Sequence, residues 1–366
     1  MVQKVPQSGI SGNSSFKNLI INGEMQIRQR ADTSVHNNGQ VRPCDMWKQE
    51  ASNCDNLTGT LAIDSSVPAG YGFSGSLRFD TTAAESALAS DENVKLITDV
   101  EAQNAHHLCY GHSDAKKTVL SWWSKSNLSG SSNKFVINVS APDGSRHISK
   151  TFFHASADTW ENFTFVIDGD SSGTINDDNG AGLTLTWVLA AGSDYTSADS
   201  TSWGSTSNAG LAYQQTANIA SSTSNDFYIT GVQLEVGDTA SNFEHLPFDV
   251  QLQRCQRYFQ LHTNPQTANN HPMCMGEYYS SSQVNAHIHM PVQMRSSPTL
   301  VFTDVSNHFA IFRNGTHDAV NNWTRGESTE RITEIYNNSD VSGTAGHGCT
   351  VTTNSVDARM SFNAEL

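Results

Sequence analysis

An all-β chain is what this sequence predicts: an N-terminal jelly-roll β-sandwich, one short linking helix and a smaller C-terminal β-sandwich domain. Three observations lead there. Apolar residues return at spacing two along most of the chain, which places each set on one face of a strand. Turn signals of Gly, Pro, Asn and Asp separate these runs. Only 37% of residues are apolar and 16% charged, so small uncharged polar residues make up the balance, a mix that disfavours long helices and suits short strands. The 366 residues exceed the roughly 150-residue domain prior enough to imply two domains.

The opening MVQKVPQSGISG has no apolar period, and residues 1–16 read as an extended arm. Residues 17–247 carry the jelly roll. Phe135, Ile137 and Val139 alternate, as do Phe163, Phe165 and Ile167, and Leu183, Leu185, Trp187 and Leu189. Between them stand turns such as Pro142-Asp143-Gly144 and Asp178-Asn179-Gly180. Phe227 and Ile229 lie on odd positions, Val232, Leu234 and Val236 on even ones, so the phase slips at Thr230-Gly231 as a β-bulge would make it slip. Phe135, Ile137, Val139, Phe163, Phe165, Leu185, Trp187 and Leu234 are expected in the core, with Ser, Thr and Asn facing out. Pro247 breaks the pattern. In Asp249–Leu261 the residues Leu252, Cys255 and Phe259 fall at helical spacing with Asp249 as a cap, which predicts a linking helix within 248–262. Beyond the polar stretch His262–Met273, residues 263–366 return to period two: Val284, Ala286, Ile288 and Met290, then Leu300 and Phe302, Phe309 and Ile311, and finally Met360, Phe362, Ala364 and Leu366. That last strand should be paired in a sheet.

With 21 basic and 36 acidic residues the formal charge is -15, which repels phosphate backbones and acidic membranes and argues against nucleic-acid partners. No stretch approaches the apolar length of a membrane span, so membrane insertion is not expected, and Met1–Gly23 lacks the pattern of a secretory signal. The six cysteines are scattered without a CxxC pair, as expected for reduced thiols in a protein made in a cytoplasm, without disulfides.

Three segments invite a site. His106-His107-Leu108-Cys109-Tyr110-Gly111-His112 fits no standard zinc spacing and reads as a loop or helical turn. Asp168, Asp170 and Ser172 with Gly173 imitate a calcium loop, with Asp178 near its end, but Asn179 stands where a bidentate Glu belongs. A polar hairpin loop is the better account, with calcium the one cofactor to test. The segment Ser193–Ser224 sets Tyr195, Trp203 and Tyr213 among hydroxyl residues, as a sugar-stacking site requires; the alternative is that Trp203 folds back to plug the sandwich edge. No G-x-S-x-G, H-E-x-x-H or phosphate loop is present, so no enzyme is expected.

Four stretches match a known pattern. These are Asn18-Leu19-Ile20-Ile21-Asn22-Gly23-Glu24-Met25 with Arg28-Gln29-Arg30 and Asp45-Met46-Trp47; Val119-Leu120-Ser121-Trp122-Trp123-Ser124-Lys125-Ser126; Phe227 to Gly237 through Phe243-Glu244-His245 to Cys255-Gln256-Arg257-Tyr258-Phe259; and Pro291 to Thr299 with the ending Asn363-Ala364-Glu365-Leu366. Together they resemble a family of bacteriophage tail-fibre and virion-appendage proteins. The sequence departs from that pattern at Met46, where Arg is common, and at Trp123, a second indole. The resemblance implies a jelly roll like a carbohydrate-binding module, then a short helix and a smaller β domain, in a homotrimeric fibre or spike. It supplies no catalytic residue. The expected role is a structural virion protein, a tail fibre, knob or other appendage, that adheres to host-surface polysaccharide and contacts other virion proteins. Oligomerisation would raise the avidity of weak single sites. The alternatives are a capsid-decorating or particle-assembly protein and, behind it, a polysaccharide-degrading spike. The face Asn285, His287 and His289 is either solvated or meets symmetry copies.

Overall fold

Alternating residues become strands along nearly the whole chain. The computed structural model describes residues 16–30, 33–35, 39–263, 270–303 and 305–366. The expected arm, apart from Phe16, and much of the polar stretch after His262 lie outside them. The chain divides into two units. The first comprises residues through Met25, Ser34–Gln40 and Gln49–Leu246; the second comprises Gln26–Thr33, Val41–Lys48 and Pro247–Leu366. The second unit therefore takes two short segments from within the stretch 17–247 that the sequence assigns to the jelly roll.

Among the described residues, thirteen strands precede the linking helix: β1 (Thr33–Val35), β2 (Gly39–Cys44), β3 (Trp47–Ser52), β4 (Thr58–Asp64), β5 (Ser76–Ala83), β6 (Asn93–Glu101), β7 (Thr118–Ser126), β8 (Phe135–Ala141), β9 (Arg146–Phe152), β10 (Glu161–Ile167), β11 (Ala181–Ala191), β12 (Gly204–Ser205) and β13 (Asp226–Val236). They form a six-stranded sheet in the order β1-β4-β5-β13-β7-β10 and a seven-stranded sheet in the order β12-β9-β8-β11-β6-β3-β2. Rings from the two sheets meet in the core. Trp122 lies edge-on to Trp187 at 5.8 Å, and Phe135 meets Phe227 at 5.3 Å. Phe135, Ile137, Val139, Leu185, Trp187 and Leu234 are buried as their period predicts. Phe163 and Phe165 are only half-buried, because β10 ends its sheet; both rings still reach Trp122, at 5.4 and 5.6 Å.

The expectation that polar residues face water fails on β8, which is buried on both faces. Val136 and Val188 pack with Ala212, against which Tyr195 and Leu211 rest. Asn138, also buried, donates to Ser149 Oγ at 2.8 Å, and Ser149 Oγ donates to the Gly210 carbonyl at 3.1 Å. The long segment after β11 thus lies over this face and satisfies its polar groups internally.

The predicted bulge is present: the pairing of β13 with β7 skips between Thr230 and Gln233, and Gly231 takes φ 61. The opening motif closes around it. Asn18 donates its amide to the Val232 carbonyl at 3.0 Å and accepts from the Leu234 N–H at 3.0 Å. Gly23 approaches so closely that a Cβ there would sit 2.1 Å from the Val232 carbonyl oxygen.

The linking helix is shorter than its period suggests. Helix α2 covers Phe248–Gln256, with Pro247 at its N-cap position and Asp249 in the first turn without a side-chain capping bond. A separate short helix, α1, spans Ala102–Ala105. After α2 the chain turns and enters β14 (Phe259–Thr263), so Phe259 is a strand residue, held under the Arg30 guanidinium at 3.4 Å. The strands β15 (Pro272–Ser280), β16 (Gln283–His289), β17 (Thr299–Phe302), β18 (Phe309–Arg313), β19 (Thr316–Val320), β20 (Thr324–Ser328), β21 (Ile332–Asn337), β22 (Gly348–Thr353) and β23 (Met360–Asn363) follow. They make a seven-stranded sheet, β19-β18-β22-β15-β16-β21-β20, and a three-stranded one, β14-β23-β17, in which the last strand is central. Val284, Ala286, Ile288, Met360 and Phe362 are buried, whereas His287 and His289 are exposed on the opposite face and Asn285 donates to Glu334 at 2.7 Å.

A buried ion cluster explains why the early segments join the second unit. Arg30 pairs with Glu365 at 2.6 Å and Asp45 at 3.5 Å, and Gln29 donates to the Phe259 carbonyl at 2.9 Å. Arg42 donates to the Leu366 carbonyl oxygen at 2.6 Å and Arg295 to that of Ala364 at 2.7 Å. Burial pushes the Asp45 carboxyl up to about 6, against the opposing pull of Arg30 and Gln29.

Candidate functional site: an aromatic groove on the six-stranded sheet

The three aromatics singled out in the sequence do different things. Tyr195 donates its hydroxyl to the Asp91 carbonyl at 3.0 Å and lays its ring on the Val136 cluster. Trp203 donates its indole N–H to the Asp168 carbonyl at 2.6 Å and meets Tyr110 edge-on at 5.6 Å, the plugging arrangement. Tyr213 is half-buried nearby in sequence. The calcium candidates are engaged in the same construction. Arg146 forks onto Asp170 at 2.8 and 3.2 Å and donates to the Trp203 carbonyl at 3.1 Å, while Asp170 also accepts from the N–H groups of Ser172 and Gly173. Asp168 pairs with Lys117 at 2.9 Å and Asp178 accepts from the Gly180 N–H at 2.8 Å. Among the described residues no group of three or more His, Cys, Asp and Glu side chains could hold a metal ion. His106–Leu108 form a helical turn, with His106 Nδ1 3.2 Å from the Ile175 carbonyl.

The outward face of the six-stranded sheet has a better candidate. On β7, Trp122 points into the core, so period two turns Ser121 and Trp123 outward. On neighbouring β10, Phe163 and Phe165 turn inward and expose Asn162 and Thr164; Asn162 stands opposite Trp123 in the register. Tyr71, just over half exposed at 52%, sits between two glycines of positive φ, Gly70 and Gly72, and its ring lies 4.4 Å from Trp123 at 50°. Phe73 and Gly231 floor the groove, and Ala240, Ser241, Asn242, Phe243 and His245 form its far wall. The bulge makes the floor possible: a Cβ at Gly231 would come within 2.5 Å of the Phe73 ring. The groove encloses about 700 Å³.

His245 braces one end. Its Nδ1 lies 2.9 Å from Glu24 Oε2 and its Nε2 2.9 Å from the Tyr71 carbonyl oxygen, and the ring packs against the Phe73–Phe243 pair, at 5.3 Å from Phe73 and 5.0 Å from Phe243. The lining offers rings, hydroxyls and amides, and includes no Asp, Glu, Lys or Arg. Lys125, the next outward residue of β7, is turned onto the Tyr228 ring at 4.0 Å and donates to Ser66 Oγ at 2.9 Å. Such a lining suits an uncharged polyol with apolar C–H faces. One signal for this site stands in the sequence: in the adjacent indoles Trp122-Trp123 of a period-two strand, one must face outward.

No family model matches the chain, and no curated protein matches it. Several solved structures are similar to it at low scores. The enzymatically active domain of tailspike protein 4 from bacteriophage CBA120 is 10% identical over 61% of this chain and 22% of that chain, with a TM-score of 0.32. A sugar-binding protein from Bacteroides thetaiotaomicron is 11% identical over 60% of this chain and 100% of that chain, with a TM-score of 0.32. A family 11 carbohydrate-binding module from Clostridium thermocellum, in complex with a mixed-linked tetrasaccharide, is 12% identical over 59% of this chain and 99% of that chain, with a TM-score of 0.28. The chain spans about a fifth of the tailspike's length. Likeness at this level decides nothing about this chain's activity; the groove's own residues carry the binding reading.

Proposed function

We propose that this chain is an adhesive structural protein of a bacteriophage virion, a tail fibre, knob or other appendage, whose first unit holds a neutral host-surface glycan in the groove between Tyr71 and Trp123. The observation that carries the binding reading is the outward Trp123 beside an exposed Tyr71, flanked by the amide of Asn162 and the hydroxyl of Thr164. A half-buried, outward-facing indole with polar neighbours lets a sugar ring lay its C–H face on the aromatic while its hydroxyls find hydrogen bonds. Rings tilted by 50° make no flat platform, so the ligand is a twisted single chain. The ligand class is neutral because the lining has no ammonium or guanidinium to meet a carboxylate, its one imidazole, His245, already faces Glu24 and the Tyr71 carbonyl, and the chain's charge of -15 repels acidic polymers. Binding without cleavage agrees with a lining that lacks the carboxylate pair of glycoside hydrolysis. The virion assignment, with self-assembly into a trimer, rests on the sequence motifs.

Two measurements test this reading. Calorimetric titration with neutral oligosaccharides from host-surface polysaccharide, and with uronate-bearing ones, should show binding of the neutral class, weakened about tenfold in Trp123→Ala. Binding of only the acidic class, or binding indifferent to Trp123→Ala, would overturn the ligand assignment. Antibody labelling of intact particles should mark an appendage; unlabelled particles would remove the virion role.

A further inference from the structure

We propose that a doubly protonated His245 positions Tyr71 against Trp123, so that the groove holds its glycan more weakly as pH rises. The inference rests on the glycan reading of the groove. Both ring nitrogens of His245 face groups that accept: Glu24 Oε2 at 2.9 Å and the Tyr71 carbonyl at 2.9 Å. A carbonyl oxygen has no proton to give, and an ionised carboxylate has none either. Imidazolium is the ring form that donates to both. Glu24 is buried, and a buried carboxylate is costly without a charged or hydrogen-bonded partner, which ties the ring to this orientation. Phe73 and Phe243, themselves in contact at 5.1 Å, both pack against the ring and restrict its rotation.

The charged groups around the ring leave the pair with Glu24 as its governing interaction. On the opening segment, Lys17 pairs with Glu235 of β13 at 4.0 Å, and Glu235 also accepts from the Ser241 N–H at 2.8 Å. On the histidine's own segment, Glu244 accepts from the N–H groups of Phe16 and Asn18. The turn Gly70–Phe73 has no charged side chain and meets the ring through the Tyr71 carbonyl.

When the ring loses a proton, the N–H that faces the carboxylate is the one retained. The bare Nε2 lone pair then confronts the Tyr71 carbonyl lone pairs. Tyr71 sits between glycines at φ 86 and φ 81, so its turn has backbone freedom to swing away. Trp123 then loses its partner ring. The hydrogen bond to Tyr71 is exposed, so the expected effect is moderate, about threefold to tenfold in affinity between pH 5.5 and 8.5.

Nitrogen-15 NMR of the His245 ring tests the latch without any glycan. Two N–H protons at pH 5.5 and one at pH 8.5, with the Tyr71–Trp123 ring contact weakening in step, is the expected result. A ring with a single N–H at both values overturns the proposal whether or not the groove binds sugar. In the binding titration, the parent affinity for the neutral oligosaccharide should fall with pH, and His245→Gln and Glu24→Gln should each flatten the profile while leaving the circular dichroism of the fold unchanged. A profile of the same slope in His245→Gln also overturns it. If no neutral oligosaccharide binds at any pH, the functional reading falls and the ring measurement still decides the latch.

Discussion

Three tryptophans show how little residue type says without register. Trp122 is core, Trp123 faces the groove, and Trp203 is spent on Tyr110 and the Asp168 carbonyl. Replacing Trp123 or Tyr71 by Ala should therefore lower glycan affinity about tenfold, equivalent to about 1.4 kcal/mol, with thermal stability nearly unchanged. Trp203→Ala should do the reverse, leaving affinity intact while destabilising the fold by about 1–2 kcal/mol through the lost indole bond and ring contact. Paired titration and thermal-melt measurements on the three variants check this. The Ser/Thr-rich composition around Trp203 resembled a sugar site because composition cannot tell hydroxyls facing solvent from hydroxyls bonded to a sheet beneath them. Tyr71 was invisible for the opposite reason: a lone ring in a glycine turn gains meaning only when the fold sets it beside Trp123.

Among the elements, β13 shapes the floor of the site through its bulge at Gly231. Its bulge was legible from the one-residue slip in phase, since period two turns any insertion into a visible change of parity. What the slip accomplishes was not legible, because Phe73 is remote in sequence. Gly231→Ala places a methyl against that ring and forces an L residue into φ 61, so about 2–4 kcal/mol of destabilisation is expected. Chemical denaturation measures that loss, and the variant should also bind sugar more weakly because the groove floor moves. The linking helix shows the limit of short periods. Leu252, Cys255 and Phe259 match a helical stripe, yet pairing with β23 and the Arg30 guanidinium claim Phe259 for a strand, so tertiary contacts override the local pattern.

For the molecule as a whole, two buried groups give its two units opposite responses to acid. His154 is fully buried among Phe135, Phe152 and Phe163 and near Ser124 Oγ at 3.1 Å, and burial pushes it down to about 4. The unfolded chain then binds a proton that the folded one refuses, so this contribution is present above about pH 6.5 and is lost as pH falls toward 4, reaching about 2 kcal/mol by pH 5. Asp45, raised from 3.8 to about 6, works the other way. The folded form holds a proton that the unfolded one has lost, so the second unit gains stability as pH falls from 6 to 3.8, by about 1 kcal/mol at pH 5. Calorimetry of His154→Phe and Asp45→Asn beside the parent at pH 7 and 5 should show the first variant relieved of acid destabilisation and the second deprived of acid gain. The all-β class and the paired last strand were open to sequence reasoning, because alternation is local. The second unit's recruitment of 26–33 and 41–48 was hidden, because it depends on Arg30, Asp45 and Glu365 meeting across most of the chain's length. The central claim, that the groove on the six-stranded sheet is where this protein holds a sugar, is tested most directly by an NMR titration with the neutral host-surface oligosaccharides. The account predicts shifts at the Trp123 indole, Tyr71, Asn162 and Thr164 with little change elsewhere; shifts confined to Tyr195, Trp203 and Tyr213, with the groove silent, would contradict it.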